Sequence, residues 1–461
     1  MERTLIKDTP QKINQKVRLC GWVNTRRDHG KMVFIDLRDR TGLIQIVGDE
    51  KLGDLRSEYV IEVEGLVKER PAKMANEKMS TGGVEIEVEK VNILAKCKEL
   101  PFPLESDGYE INEEKRLKYR FLDLRRPRLL KNLISRYQFI KSVRLWLDDK
   151  DFIEVETPIL TKSTPEGARD FIIPSRLQQG KFYALPQSPQ QYKQLLMVAG
   201  LEKYFQIARC FRDEDLRADR QLEFTQLDIE MSFVKRDDVL DLVEKMMIDL
   251  AESHGKKILQ KPFPRISYEE VMKKYGDDKF DLREKKEDDV LAFAFVIDQP
   301  LFGWKKEEKR WDSSHHPFTA PNPEDLKFLE EGEIEKVRSW QYDLVCNGSE
   351  VGGGSIRITD PKLQEKIFEI LGHKKEQIKN KFGHLLEAFE YGVPPHGGVA
   401  FGLDRLIAIF NNEDSIREVI AFPVTSSGES SVMAAPSEVD ATQLKELGIK
   451  IAPTKKNVEE K

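Results

Sequence analysis

The segment from Gln206 to Phe233, QIARCFRDEDLRADRQLEFTQLDIEMSF, constrains the fold more than any other part of the chain. Two runs with the alternating pattern of strands enclose a charged loop. The arginines and carboxylates of this loop are arranged more regularly than is usual for an ordinary solvent-exposed surface. Far downstream, GGVAFGLDRLIAIF at 397–410 places a glycine-rich turn before an apolar helical run. Strand-like pieces alternate with helical stretches between these segments, which predicts an α+β domain with a mainly antiparallel sheet and flanking helices.

Composition places the chain among globular proteins of two or three domains, with 461 residues, 39% hydrophobic content and 34% charged residues. The N-terminus MERTLIKDTPQK lacks the apolar centre of a signal peptide, and no uncharged run approaches the roughly 20 residues of a membrane span. We therefore expect a cytoplasmic protein without a membrane partner. The four cysteines form no CxxC pair, which argues against a zinc site or a disulfide scaffold. The net charge of −6 leaves nucleic-acid binding open, because that needs only a local basic surface.

Alternating apolar residues from Lys16 to Leu94 predict five short strands that fit a small OB-type barrel. We assign residues 1–98 to this domain and the charged, proline-containing residues 99–130 to a linker that enters helices. A catalytic domain follows at 131–447 and a polar tail at 448–461.

FRDE at 211–214 and GLDR at 402–405 resemble motifs 2 and 3 of the class II aminoacyl-tRNA synthetases, and in detail the aspartyl branch of bacterial type. The resemblance runs from about Met1 to Leu447. The long helical pattern from Leu130 and the strand FIEVETPIL resemble motif 1, which implies a homodimer. The chain departs from the general class II pattern at Ala400 and Asp404, where glycine and glutamate are usual.

The resemblance implies that the enzyme joins an amino acid to ATP. Such a site must neutralise phosphate charge, and the planar fork of arginine pairs well with phosphate. Arg212 is expected on the α-phosphate and the aminoacyl carboxylate, Glu214 near adenine, and Arg405 over adenine and against the γ-phosphate. Arg212 and Arg405 are thus the catalytic candidates, and Gly402 and Asp404 complete the ATP site. The glycines at 397, 398 and 402 are expected to let backbone and nucleotide approach closely.

Two carboxylates, Asp343 and Glu350, match the acidic pair that the family associates with Mg²⁺ bridging the ATP phosphates. Oxygen ligands suit this hard ion. Taken without the resemblance, two carboxylates seven residues apart are more often surface charges.

Selection of aspartate needs cationic donors for its side-chain carboxylate and anionic acceptors for its ammonium group. By resemblance, Lys193 and Arg357 grip the carboxylate, and Glu166 in the mobile loop TPEGARDF helps to hold the ammonium group. The remaining residues that match aspartate-site positions are Gln190, Gln226, Asp228, His315 and His316.

The barrel is expected to bind the anticodon of tRNA-Asp. Phe34 should stack on a base while Gln45 and Glu85 contact base edges, although a core position for Phe34 is the competing interpretation. His29 is typical of members that also charge tRNA-Asn, so tRNA-Asn is a second candidate substrate. The other residues assigned to tRNA are Arg26, Asn76 and Arg217.

Two alternatives stay open at this point, an asparaginyl or lysyl synthetase and a tRNA-binding paralogue that has lost catalysis. Lys193 together with Arg357 favours an anionic side chain, and the intact motif residues argue against lost catalysis. Roughly 85 residues separate Glu230 from His315, where bacterial relatives insert a further domain. We therefore expect that domain to be missing.

Overall fold

The computed structural model describes residues 1–30, 32–164 and 167–452. The chain divides into two compact units, Met1–Pro103 and Leu104–Lys461, each with its own hydrophobic core. No helix among the described residues has both the length and the apolar composition needed to cross a membrane.

The first unit is a closed barrel of five strands in the order β1-β2-β3-β5-β4, as the sequence predicts. All neighbouring pairs are antiparallel except β3 and β5. Short 3-10 helices cover Ile6–Lys12, Glu50–Leu52 and Ala72–Met74. The strands are β1 (Lys16–His29), β2 (Met32–Asp39), β3 (Gly42–Gly48), β4 (Val60–Glu69) and β5 (Val84–Ala95).

Strand alternation decides which side chains of the barrel face outward. On β2, Val33, Ile35 and Leu37 lie in the core. Phe34 is only partly buried and lies on the opposite face, because successive side chains of a strand point to opposite sides. The competing interpretation of Phe34 as a core residue is therefore excluded.

The second unit combines helices and strands throughout its length. Its helices are α1 (Glu113–Lys118), α2 (Arg120–Asp123), α3 (Pro127–Asp148), α4 (Gln190–Val198), α5 (Arg236–Ser253), α6 (Tyr268–Tyr275), α7 (Leu326–Glu331), α8 (Pro361–Ile370), α9 (Lys375–Phe389), α10 (Leu403–Asn411) and α11 (Ala441–Leu447). Its strands are β6 (Ile153–Glu154), β7 (Ile172–Pro174), β8 (Phe182–Ala184), β9 (Lys203–Phe211), β10 (Glu223–Ser232), β11 (Lys257–Ile258), β12 (Arg265–Ser267), β13 (Val290–Leu291), β14 (Phe293–Ile297), β15 (Phe302–Lys305), β16 (Arg310–Ser313), β17 (Gln341–Cys346), β18 (Ser349–Ile356) and β19 (His396–Gly402). Further 3-10 turns cover Pro323–Asp325, Ile334–Lys336 and Ile416–Glu418.

An eight-stranded sheet in the order β12-β14-β17-β18-β19-β10-β9-β6 organises the second unit. Its inner pairings are antiparallel and only the two edge pairings, β12 with β14 and β6 with β9, are parallel, which confirms a mainly antiparallel sheet. One face packs in the large core against α3, α5 and α10. On β10 this face carries Leu227, Ile229 and Met231, so the polar residues between them point to the other face.

A buried ionic cluster lies where the sequence suggests a linker. Asp123 at the end of α2 accepts hydrogen bonds from Arg116, Arg120 and Arg126, at 2.7 to 3.2 Å. Asp123 and Arg126 are both 0% exposed. Arg116 also forms a two-point ion pair with Glu418, 302 residues further along the chain. Residues 116–126 are thus packed into the second unit despite their high charge.

Candidate active site

A cavity of about 300 Å³ opens on the polar face of the sheet. It brings together most of the residues that the resemblance assigns to ATP and aspartate. The predicted residues that line it are Gln190, Lys193, Arg212, Glu214, Gln226, Asp228, His315, His316, Glu350, Arg357, Gly402, Asp404 and Arg405. Glu166 lies outside the described residues.

Sequence reasoning missed several lining residues. These are Ser188, Asp219, Arg220, Gln221 and Phe224. Four of them belong to the loop after β9 or to the start of β10, within the segment that the sequence singles out. The loop has no periodicity from which the orientation of a side chain could be predicted.

Arg212 follows directly after β9, and its guanidinium is positioned to bind an anionic ligand. Its guanidinium lies over the Phe224 ring, 5.1 Å from the centroid. Its Nε is buried and has no hydrogen-bond partner among the described residues. Stacking on the ring fixes the guanidinium plane while leaving donors for a ligand.

Arg405 in the first turn of α10 is held by contacts with two other residues that line the cavity. It donates to the backbone oxygen of Glu350 at 3.0 Å and lies 3.1 Å from a carboxylate oxygen of Asp219. The neighbouring Asp404 is buried and accepts from the Thr225 N–H at 2.9 Å and from Arg136. Both Asp404 oxygens are therefore occupied, and this residue holds α10 against β10 and α3.

Two cations and two carboxylates are buried together at the deep end of the cavity. Arg357 makes a two-point contact with Glu230 at 2.9 and 3.0 Å, and it also contacts His316 Nε2 at 2.7 Å. Lys193 lies 2.6 Å from Asp228 and 3.3 Å from Glu230. Burial alone raises the pKa of Glu230, but the charges of Arg357 and Lys193 outweigh it and lower that pKa to about 2.

One carboxylate oxygen in this buried group of two cations and two carboxylates accepts no hydrogen bond from the described residues. Asp228 Oδ2 is buried and has no hydrogen-bond partner among the described residues. An unpaired buried carboxylate oxygen is costly unless a ligand supplies a donor. Asp228 is therefore positioned to receive a cationic group.

Two glycines make room for carboxylates. A Cβ at Gly398 on β19 would lie 2.0 Å from the Ile229 backbone oxygen and 2.2 Å from Glu230 Oε2, and one at Gly353 on β18 would lie 2.7 Å from Asp343 Oδ1. The sequence suggests that Gly398 lets a nucleotide approach, but the space beside it is filled by Glu230. Glycine is needed here because both the backbone and a carboxylate of the neighbouring strand approach this position.

Asp343 and Glu350 form the expected acidic pair on β17 and β18. Burial and the nearby charge of Glu350 raise the pKa of Asp343 to about 7. Gln299 donates to Asp343 at 2.5 Å, but amides do not neutralise the charge. Two carboxylates that repel each other suit a divalent cation, although the described residues contain no group of three or more metal-ligating side chains. The pair would supply carboxylate oxygens to a bound Mg²⁺.

Three histidines lie near this charged group, and one of them, His316, contacts Arg357. Burial together with the charges of Arg357 and Arg212 lowers the pKa of His315 to about 3. Burial, His315 and Arg357 hold the pKa of His316 well below its ordinary value. His396 is fully buried, which also lowers its pKa. All three imidazoles are thus neutral at neutral pH.

We expect the free energy of unfolding to fall as the pH drops below the ordinary histidine pKa of 6.5. Below that pH the histidines bind protons in the unfolded chain but not in the folded chain. Their contribution to the free energy of unfolding is therefore complete above pH 6.5 and is lost progressively below it. His396→Asn should reduce the slope of stability against pH by at most about 1.4 kcal/mol per pH unit. Denaturant unfolding at a series of pH values measures the slope, and an unchanged slope would contradict the assignment.

The outer face of the barrel forms a second polar surface. Phe34 meets His29 edge to face, with ring centroids 5.4 Å apart. Gln45 donates to Glu85 at 2.8 Å on the adjoining strands, so these four residues share one face. Arg26 pairs in register with the core residue Ile35, so its side chain lies on the same side of the sheet as Ile35. That side is opposite to the face that carries Phe34.

Two predicted tRNA residues lie away from strands. Asn76 is in the loop before β5, where its side chain accepts from the Lys78 N–H at 3.1 Å. Arg217 is exposed in the loop between β9 and β10 of the second unit.

Comparisons with known proteins agree with this architecture. A family model described as tRNA synthetases class II (D, K and N) matches residues 112–426, and an OB-fold nucleic acid binding domain matches residues 17–94. A Syntrophomonas wolfei protein named aspartate–tRNA(Asp/Asn) ligase is 41% identical over 571 residues, covering 95% of this chain and 97% of that protein. A Dictyoglomus turgidum protein of the same name is 43% identical, covering 97% and 98%. The crystal structure of Pyrococcus horikoshii asparaginyl-tRNA synthetase with asparaginyl-adenylate matches with a TM-score of 0.75 at 26% identity, covering 92% of this chain and 98% of that one.

The lengths of these relatives bear on the expected missing domain. The alignment with the Syntrophomonas wolfei protein spans 571 positions and this chain has 461 residues, so at least 110 positions of that relative have no counterpart here. The shorter length agrees with the missing insertion that the short segment between Glu230 and His315 predicts.

Proposed function

Since this chain belongs to the class II aminoacyl-tRNA synthetases for aspartate, lysine and asparagine, we propose that it is an aspartate–tRNA ligase that acts on tRNA-Asp and tRNA-Asn. The observation that carries the choice of aspartate is the buried group of Lys193, Arg357, Asp228 and Glu230. Two fixed cations match the substrate's side-chain carboxylate, and the free Asp228 oxygen matches its ammonium group.

The first reaction joins aspartate to ATP. An oxygen of the aspartate α-carboxylate attacks the α-phosphorus, the bond to the β-phosphate bridging oxygen breaks, and pyrophosphate leaves. Arg212 holds both the α-phosphate and the attacking carboxylate, which reduces their repulsion and aligns them. Arg405 holds the γ-phosphate, and Glu214 contacts adenine. Asp343 and Glu350 would hold Mg²⁺, which would screen the charge of the triphosphate.

The second reaction transfers aspartate to tRNA. A hydroxyl of the terminal ribose attacks the carbonyl carbon of aspartyl-adenylate, and AMP leaves with the bonding electrons. No protein nucleophile is needed, because the mixed anhydride is already activated. The neutral His315 and His316 line the same cavity and add no positive charge that would compete with Lys193 and Arg357 for the substrate.

Aspartate-dependent exchange between ATP and pyrophosphate tests the activation step. All amino acids should be assayed, and only aspartate should support exchange. Exchange with asparagine or lysine instead would identify the sister specificities, whereas none would indicate an inactive tRNA-binding paralogue. Charging of purified tRNA-Asp and tRNA-Asn then tests the second substrate, and strict rejection of tRNA-Asn would remove it from the proposal.

We also propose a homodimer. Large apolar side chains are exposed along α3 and the strand after it, on the segment that resembles motif 1. They are Ile134, Tyr137, Leu145, Ile153, Ile159 and Leu160, each at least 43% exposed. Exposed apolar side chains concentrated on one segment are typical of an interface, and sedimentation equilibrium measures whether the assembly contains two chains.

Phe34→Ala should weaken tRNA charging by roughly 5- to 150-fold, because stacking on one base contributes about 1–3 kcal/mol. Exchange between ATP and pyrophosphate needs no tRNA and should be nearly unchanged. Val33→Ala is the matched control, since Val33 is the adjacent core residue and its loss should lower barrel stability instead. An equal decline of both reactions in folded Phe34→Ala protein would refute a tRNA-specific role.

A further inference from the structure

A short loop between α6 and β13 reaches the acidic side of the cavity. Residues 276–279, Gly-Asp-Asp-Lys, start at Gly276, whose left-handed φ of 72° ends α6 and whose N–H donates to Met272 O. We call these four residues the 276–279 loop.

The loop is anchored at both ends. The rings of Tyr275 and Phe280, which flank it, are stacked with centroids 4.5 Å apart and planes 7° from parallel. Phe280 lies in a core cluster with Val271 and Val345, and its backbone oxygen accepts from the Gly348 N–H at 3.1 Å. The loop is thus fixed beside the turn that leads into β18.

This position places Lys279 next to Glu350. The Lys279 Nζ lies 3.8 Å from Glu350 Oε2, and the two side chains are 38% and 36% exposed. Glu350 lines the cavity, and its backbone oxygen holds Arg405. Glu350 therefore has Arg405 on its backbone side and Lys279 at its carboxylate.

The ion pair between Lys279 and Glu350 contributes too little to stability to explain why a lysine occupies position 279. At 3.8 Å it is an ion pair without a hydrogen bond, and half-exposed pairs contribute little to stability. The ammonium group keeps all three donors available for a stronger acceptor. The loop does not depend on the pair, because the stacked rings and the Gly348 contact hold it.

The chemistry nearby supplies that acceptor. If ATP places its γ-phosphate at Arg405, as proposed above, its terminal phosphates lie beside Glu350, whose backbone oxygen Arg405 contacts. Phosphate oxygens carry more charge than a half-exposed carboxylate and accept strong charge-assisted hydrogen bonds. We propose that Lys279 is a further binding residue for the pyrophosphate part of ATP, leaving Glu350 for the phosphates as the nucleotide enters; this inference rests on the proposed function.

Lys279→Met tests the inference, because methionine keeps an unbranched stem and removes the charge. The KM values for ATP and for pyrophosphate in aspartate-dependent exchange should each rise about tenfold. The KM for aspartate and the affinity for AMP, which lacks the β- and γ-phosphates, should stay within about twofold of wild type. Lys279→Arg should recover part of the loss.

Lys274→Met is the matched control. Lys274 lies on α6 close to the loop, with its Nζ 4.9 Å from the Tyr275 ring, whereas the ion pair with Glu350 belongs to Lys279. Its exchange kinetics should equal those of wild type. Unchanged KM values for ATP and pyrophosphate in Lys279→Met, or an equal loss of AMP affinity, would overturn the inference. Absence of aspartate-dependent exchange in the wild-type protein would instead overturn the proposed function.

Discussion

Arg357→Leu should reduce aspartate-dependent exchange by about 30- to 5,000-fold, which corresponds to about 2–5 kcal/mol for a charge-assisted contact whose partner charge stays buried. The substitution removes a cation for the substrate and also leaves Glu230 with Lys193 as its remaining close cation. The uncovered carboxylate of Glu230 then repels the aspartate side chain. The loss should fall mainly on the KM for aspartate, because the ATP contacts of Arg212 and Arg405 are untouched.

Arg338→Leu is the control for this substitution. Arg338 pairs with Asp325 at 2.8 Å, is about half exposed and does not line the cavity. Thermal unfolding of both variants separates a folding defect from a binding defect. Arg357→Lys retains the charge without the two-point fork and should have intermediate activity. Near-normal aspartate kinetics in folded Arg357→Leu protein would exclude Arg357 from substrate recognition.

Asp123→Ala should lower the free energy of unfolding of the second unit by about 3–5 kcal/mol. The substitution leaves Arg116, Arg120 and Arg126 buried without their shared carboxylate. Arg116 keeps a second carboxylate partner, Glu418. Removing one member of a buried ionic group costs more than the group itself contributes, because the remaining charges cannot return to water.

Denaturant unfolding measures this loss. Asp123→Asn retains the shape and one acceptor oxygen and should fall between wild type and alanine. Asp148→Ala, at an exposed position on α3, should change stability by less than about 0.5 kcal/mol. A loss below about 1 kcal/mol for Asp123→Ala would show that the arginines find other partners.

The two units differ in how far the sequence predicts them. The barrel follows from residue alternation alone, because every strand has one face in the core and one outside. In the second unit the resemblance assigns Arg212, Arg405 and Arg357 to one site, and all three line the same cavity. The partner of Arg357 is not predicted, because Glu230 lies 127 residues away and only sheet register brings them into contact.

In two segments, composition alone gives the wrong expectation about which side chains are buried. Residues 116–126 have the charge of a solvated linker, yet their arginines are buried because one carboxylate satisfies several of them. The apolar positions from Leu130 predict a helix, and Val143 and Leu147 of α3 are buried in the core. Tyr137 on the same helix is 64% exposed, since the described residues do not cover a second apolar surface of α3.

The pairing of Arg116 with Glu418 also has a consequence during protein synthesis. At about 5–20 residues per second, the ribosome needs roughly 15–60 s to add the 302 residues between them. The barrel can fold during this time, because its five strands are complete by Ala95. The first helices of the second unit must wait for their partners, and arginines remain hydrated in the meantime, whereas an apolar surface of the same size would attract other nascent chains.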